Sequence, residues 1–194
     1  MIGLGYVGLP IATAFAKYFS VVGFDVDKER VAELLEGYDR TGELSKHELN
    51  DLSQLKLSSD PQDLLPCDFY IVTVPTPVDD SNQPDFSPLI SASNTAGKYL
   101  TRGDIVVFES TVYPGATEEI CVPVLESVSG LRFNVDFYVG YSPERINPGD
   151  KSRGLTDIVK VTSGSTPGAA KIIDDTYAKV ITAGTQLAPS LAVA

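Results

Sequence analysis

The sequence predicts an α/β fold, a doubly wound parallel sheet with helices on both faces. Three observations carry this expectation. Short apolar runs of strand length alternate along the chain with stretches whose apolar residues recur at helical spacing. Those runs are apolar throughout, as in parallel strands buried on both faces. The chain also opens on Gly3-Leu4-Gly5-Tyr6-Val7-Gly8, a glycine turn of the kind that joins a strand to a helix in a Rossmann-like sheet.

Only Met1 and Ile2 precede the first glycine, whereas a strand usually takes about five residues, so strand one is expected as a stub. A helix follows, carrying Ile11, Ala14, Phe15 and Tyr18, and Pro10 is tolerated because it lies in the first turn. Ser20 to Asp25 reads as the second strand. Asp27 caps a helix whose Val31, Leu34 and Leu35 face inward and which Gly37 ends. Ser45-Lys46-His47-Glu48 has the capping-box pattern for a short helix with Leu49 and Leu52, and Asp60-Pro61 starts another helical turn. Asp68 to Val74 is the third strand, and Ser87-Pro88 opens a helix toward Tyr99. Asp104 to Ser110 is the fourth strand, before a helix from Ala116 that Pro123 bends. Phe137 to Ser142 and Asp157 to Thr162 are the fifth and sixth, the latter leading into a helix from Thr166-Pro167 to Lys179.

The 194 residues suffice for one domain with a sizeable core, expected to be soluble and globular at 43% hydrophobic and 21% charged residues. No repeat, linker or low-complexity tract divides them. A net charge of −11 argues against a nucleic-acid partner. It does not argue against a small anionic ligand, which a few backbone N–H groups can hold. No apolar run reaches the roughly 18 residues of a membrane span. Cys67 and Cys121 make no disulfide framework. The cytoplasm is the expected compartment, with no membrane partner and no metal.

In such a sheet ligands bind at the carboxyl ends of the strands. Five stretches lie there. In the glycine turn, Gly3 permits the tight bend, Gly5 lets the backbone approach a pyrophosphate, and Gly8 lets helix and strand pack closely; the helix N-terminus offers free N–H groups to phosphate. Asp25 ends the second strand, 17 positions after Gly8. Its carboxylate suits the ribose hydroxyls of an adenosine and would repel a 2′-phosphate, so NAD is favoured over NADP. The alternative is that Asp25 caps the next helix, for which Asp27 is better placed. Arg30, one turn on, either reaches that ribose or its adenine or is a solvated surface arginine.

Thr73-Val74-Pro75-Thr76-Pro77 ends a strand abruptly, and Thr76 either offers a hydroxyl to the ligand or lies in a merely rigid turn. Glu109-Ser110-Thr111-Val112-Tyr113-Pro114-Gly115-Ala116-Thr117 stacks hydroxyls at a strand end. They either hold water or a nicotinamide or, through Ser110 or Thr117, cap the helix. In Tyr141 to Gly149, Glu144 is a candidate general base, against the alternative of an exposed pair with Arg145.

Together, GLGYVGLP, VPTP, ESTVYPGATEE, YSPERINPGD and KVTSGSTP resemble the UDP-glucose/GDP-mannose dehydrogenase family of nucleotide-sugar 6-dehydrogenases, over nearly the whole chain. STVYPG with SPERINPG looks most like the branch acting on UDP-N-acetylhexosamines, such as the UDP-N-acetylglucosamine enzymes of capsule, Vi and O-antigen polysaccharide biosynthesis. The UDP-glucose branch tends to carry a phenylalanine after Pro-Glu and a second glutamate four residues on; here Arg145 and Pro148 stand there. The resemblance implies oxidation of a sugar C6 alcohol to a carboxylate with two NAD, by way of a cysteine-bound thiohemiacetal and thioester. It implies Tyr6 and Val7 against the pyrophosphate, Asp25 and Arg30 on the adenosine ribose, and Thr76 and Thr111 at the nicotinamide. Thr111 would also position a catalytic water, and Glu144 would assist thioester hydrolysis. We add the expectation that Arg145 touches the sugar's C2 substituent.

The family's nucleophilic cysteine lies in a glycine-rich loop that nothing here matches; Cys67 and Cys121 read as packed residues. Residues 1–194 are therefore expected to be the NAD-binding domain of a larger oligomeric enzyme, cut at both ends, inactive and monomeric by themselves. The other readings are a UDP-glucose 6-dehydrogenase domain, another NAD-linked hydroxyacid dehydrogenase domain, and a non-catalytic nucleotide-binding module.

Overall fold

A computed structural model describes residues 1–50, 53–78, 83–144 and 155–194. The expected positions Leu52 and Arg145, with the rest of the 145–149 stretch, lie outside the described residues.

Five strands, all parallel, share one sheet: β1 (Val21–Phe24), β2 (Leu55–Ser58), β3 (Phe69–Val72), β4 (Ile105–Phe108) and β5 (Tyr138–Tyr141). Ile2 joins its halves, bridging Phe24 on one side and Val72 on the other. Ile2 N–H donates to Ile71 O at 2.8 Å, Thr73 N–H to Ile2 O at 2.9 Å, and Gly3 N–H to Phe24 O at 2.9 Å. Two residues thus do the work of a central strand. Counting them as strand one, the order is third, second, first, fourth, fifth, sixth, which reverses direction between Ile2 and β3.

Side chains alternate faces along each strand. Ile71, Ile105 and Val107 pack with α1 (Gly8–Ala16) and α6 (Pro167–Ala178), through residues such as Leu9, Ile11 and Ile173. Tyr70, Val72, Val106 and Phe108 pack on the other face with α4 (Ser87–Gly97) and α5 (Val122–Ser129), through Leu89, Ala96 and Leu125. Both faces are covered, which is why the strands read as unbroken apolar runs.

The caps act as expected, but Leu35, expected to face inward, is 66% exposed, and Tyr18 lies beyond the end of α1 and is 56% exposed. Asp27 accepts from the N–H groups of Glu29 and Arg30 to cap α2 (Lys28–Leu35), and Gly37 follows it at φ +78°. Ser45 and Glu48 form the reciprocal box at the start of α3 (Lys46–Asn50). The helix after β4 begins with a π-helical turn, Thr117–Cys121, before α5, so the break precedes Pro123.

Two differences stand out. Strand β2 has no counterpart among the expected elements, because Leu55-Lys56-Leu57-Ser58 alternates and lacks an apolar run. The expected sixth strand of the parallel sheet shrinks to β6 (Lys160–Thr162), which pairs with β7 (Thr185–Leu187) instead. The segment just after β6 meets β5 at an antiparallel bridge, Gly140 to Gly164, where Ser165 N–H donates to Val139 O at 2.8 Å and the Ser163 hydroxyl to Tyr141 O at 2.6 Å. Among the described residues no helix is long and apolar enough to cross a membrane.

Candidate functional site

A cleft of about 620 Å³ opens at the carboxyl ends of the strands, where the strand order reverses. Of the residues expected from sequence, Gly3, Gly5, Tyr6, Val7, Asp25, Thr76, Thr111 and Glu144 line it. The parallel register places Val72, Phe108 and Tyr141 level, so the segments following them emerge at one edge. That register brings together Thr76, Thr111 and Glu144, which lie far apart in sequence.

The glycine turn is braced from three sides. Gly3 takes φ +98°, a left-handed conformation that favours glycine. Thr73 Oγ1 donates to the carbonyls of Gly3 and Ile2 at 3.0 and 3.2 Å. Leu4 N–H donates to Asp25 Oδ2 at 2.7 Å, while Asp25 Oδ1 accepts from Asp27 N–H at 2.9 Å. Asp25 therefore neither caps α2 by itself nor stands idle. A carboxylate has about four acceptor sites, so two bonds leave capacity for ribose hydroxyls.

Arg30 departs from both sequence expectations. It is 4% exposed, so the solvated surface arginine is excluded, and it does not line the cleft. Its Nε donates to Leu4 O at 2.9 Å, and its Nη2 lies 2.7 Å from Asp39 Oδ1. The guanidinium thus props up the glycine turn from below. Its Nη1 is buried without a hydrogen-bond partner among the described residues.

Ser110 neither caps a helix nor faces water. Its hydroxyl donates to Val74 O at 2.6 Å and fastens the proline loop to β4. Thr117 is buried and caps nothing. Thr111 is exposed at the cleft. Thr76 Oγ1 is buried and has no hydrogen-bond partner among the described residues, although it borders the cleft.

The cleft suits a dinucleotide on observations of its own. A methyl group on Gly5 would meet nothing within 4 Å, so the backbone there is open to a ligand, and Gly3 and Gly8 pack tightly behind it. Thr76 Oγ1, which borders the cleft, is buried without a hydrogen-bond partner among the described residues, and a group of that kind is normally satisfied.

Sequence reasoning missed a charged cluster beneath the cleft. Lys160 Nζ lies 2.6 Å from Glu109 Oε2 and 3.1 Å from Glu144 Oε2, and the Tyr177 hydroxyl donates to Glu109 Oε1. The Glu144 side chain is 10% exposed and held by Lys160, so it is not an exposed carboxylate. Burial pushes the Glu109 carboxyl up, and the Lys160 charge opposes it. Burial pulls the Lys160 ammonium down, but the two carboxylates outweigh it and the net shift is upward. Burial, and then the Glu109 charge, pushes the Tyr177 phenol well up. The available signal was a lysine inside the otherwise apolar run Asp157 to Thr162.

Neither cysteine lines the cleft. Cys121 is buried under α4, and burial pushes its thiol up to about 12. Cys67 borders a second cavity, about 790 Å³, at the opposite end of the sheet beside Met1, Val21 and Phe69. That cavity is larger, but it lies away from the glycine turn and at the amino ends of the strands, where such sheets do not bind ligands.

Residues 1–181 match the family described as UDP-glucose/GDP-mannose dehydrogenase family, NAD binding domain. The chain is 58% identical over 194 residues to a UDP-N-acetyl-D-glucosamine 6-dehydrogenase of Pseudomonas aeruginosa, covering 100% of this chain and 46% of that protein. It is 52% identical over 194 residues to Protein CapL of Staphylococcus aureus, again covering 100% and 46%. Among solved structures, the UDP-D-ManNAc dehydrogenase of Pyrococcus horikoshii superposes with a TM-score of 0.88 at 32% identity, covering 99% of this chain and 47% of that one. The chain spans about half the length of the curated relatives it matches.

Proposed function

Because the chain belongs to the UDP-glucose/GDP-mannose dehydrogenase family as its NAD-binding domain, we propose that it serves a cytoplasmic UDP-N-acetylhexosamine 6-dehydrogenase of polysaccharide biosynthesis. The substrate would be a UDP-N-acetylhexosamine whose C6 alcohol becomes a carboxylate. The observation that carries this reading is the meeting of Thr111 and Glu144 with the glycine turn in one cleft. The 58% identity to a UDP-N-acetyl-D-glucosamine 6-dehydrogenase over the whole chain supports the choice of sugar.

In this reading NAD supplies the hydride acceptor. Gly5, Tyr6 and Val7 present backbone to the pyrophosphate, and the first turn of α1 turns its free N–H groups and dipole toward it. Asp25 accepts from the adenosine ribose, and Arg30, buried off the cleft, acts through Leu4 by holding the glycine turn in place. Thr76 and Thr111 hold the nicotinamide end, and Thr111 orients a water. Glu144 removes that water's proton during hydrolysis of the acyl intermediate. Arg145 would contact the sugar's C2 substituent. The nucleophile would come from outside residues 1–194, since Cys67 and Cys121 both lie away from the cleft.

The test is NADH formation from UDP-N-acetylglucosamine by the longer enzyme carrying this chain, beside the chain by itself. The longer enzyme is expected to turn over and the chain to bind NAD without turnover. Glu144→Gln should lower kcat by at least about 100-fold, the range of general acid–base effects. An unchanged kcat would remove that role, and turnover by the chain by itself would refute its incompleteness.

A further inference from the structure

Three elements distant in sequence converge on one buried ammonium. Lys160 opens β6, and its side chain is 5% exposed. Glu109 follows β4 with its side chain at 0% exposure, and Glu144 lies beyond β5 at the cleft wall. Both Glu109 oxygens are engaged, one by Lys160 and one by Tyr177 of α6. Glu109 is thus a fixed anchor, and Lys160 links it to Glu144. The other titratable group facing the ammonium among the described residues is the Tyr141 phenol on β5.

A strand interior can be filled by an apolar side chain at no electrostatic cost, whereas a buried ion cluster must offset the desolvation of each charge. Such a cluster is weak evidence for stability as such. What it does provide is direction. Glu144 lies on a segment leaving the sheet, where the backbone by itself leaves a carboxylate side chain several staggered rotamers. With Lys160, one of its oxygens is tied at 3.1 Å to a group that cannot move without breaking the Glu109 contact.

We propose that Lys160, anchored by Glu109, is the positioning residue for Glu144, holding one oxygen of that carboxylate in place at the cleft wall. The proposal rests on the reading of Glu144 as the base of a dehydrogenase. Lys160 does not line the cleft and is given no contact with substrate.

Two measurements test it. The first needs no activity. In the chain carrying 15N-labelled lysine, the Lys160 ammonium is expected to exchange its protons slowly, and Glu144→Gln to speed that exchange on the order of tenfold by removing one charged partner. Exchange indifferent to Glu144→Gln would overturn the proposal, because the contact would not exist in solution. The second is kinetic, on the longer enzyme with UDP-N-acetylglucosamine and NAD. Lys160→Met should lower kcat by at least about tenfold with both KM values within about threefold, since a misplaced base costs chemistry and not binding. Lys160→Arg should recover most of the loss.

Lys160→Met leaves Glu109 buried without its cation, so the double variant Glu109→Gln/Lys160→Met removes both charges and keeps the fold in reach. It is expected to melt near the wild type and still show the low kcat. A wild-type kcat in either variant overturns the proposal. A wild type that makes no NADH, while the ammonium still answers to Glu144→Gln, overturns the dehydrogenase reading and leaves the clamp standing.

Discussion

A methyl group on Gly8 would lie 2.0 Å from the carbonyl oxygen of Gly3 and 2.3 Å from Thr73 Oγ1. Helix α1 therefore starts with its backbone pressed against the turn that precedes it, and backbone cannot yield as a flexible side chain can. Gly5, two residues from Gly3, has nothing within 4 Å. Gly8→Ala should destabilise the chain by about 3 kcal/mol or more, at or beyond the upper end of ordinary overpacking. At ~2–4 °C per kcal/mol for a domain of this size, the Tm falls by roughly 6–12 °C. Gly5→Ala should leave the Tm within about 2 °C yet weaken NAD on the order of tenfold, because its Cβ occupies the approach to the pyrophosphate. Thermal unfolding of both variants with and without NAD checks the pair, and equal losses of stability would refute it.

NAD at about a hundredfold excess over its Kd should stabilise the chain by ~2.7 kcal/mol, and NADP at the same concentration by much less. The cause is Asp25, whose carboxylate at the end of β1 would face a 2′-phosphate. Asp25→Ala also removes the acceptor for Leu4 N–H, so it should both lower the Tm and reduce the NAD shift. A chain that responds equally to the two dinucleotides would remove Asp25 from the role of ribose reader.

Arg30 and Asp39 form a buried ion pair, with side chains 4% and 0% exposed. Arg30→Met would remove the cation beside Asp39 and leave that carboxylate to its Thr41, Glu43 and Leu44 donors, and breaking one side of a buried pair typically costs about 3–5 kcal/mol. The loss should exceed that from Arg40→Met. Arg40 pairs with Asp27 at 2.6 Å with its side chain 39% exposed, and surface pairs contribute about 0–1 kcal/mol. Denaturant unfolding of the two variants measures the contrast; equal effects would mean that the buried pair is not formed.

Most of the strands and helices, the caps at Asp27 and Ser45, and the cleft-lining glycines, threonines and acids were legible from residue types. Those features are local: a proline ends a strand, a glycine permits a turn, and a carboxylate accepts from nearby N–H groups. Arg30 was half legible, since its spacing from Asp25 places it near the turn but does not show which acceptors its guanidinium chooses. Strand β2 escaped because an edge strand of four residues carries little hydrophobic signal, and β6 lost its expected neighbour because pairing depends on the chain's path across β5.

By itself, the sequence determined the fold class, the glycine turn, the family and most of the cleft. Periodicity and short-range chemistry are written in neighbouring residues, and the five motifs need no coordinates to be read. Only the tertiary structure decided that Ile2 bridges the two halves of the sheet, that Arg30 braces Leu4, and that Glu109, Lys160 and Glu144 meet. These are contacts across 51 and 16 residues for Lys160 and 26 residues for Arg30. Parallel register and burial set them, and a buried charge takes whichever partner the packed chain brings within reach.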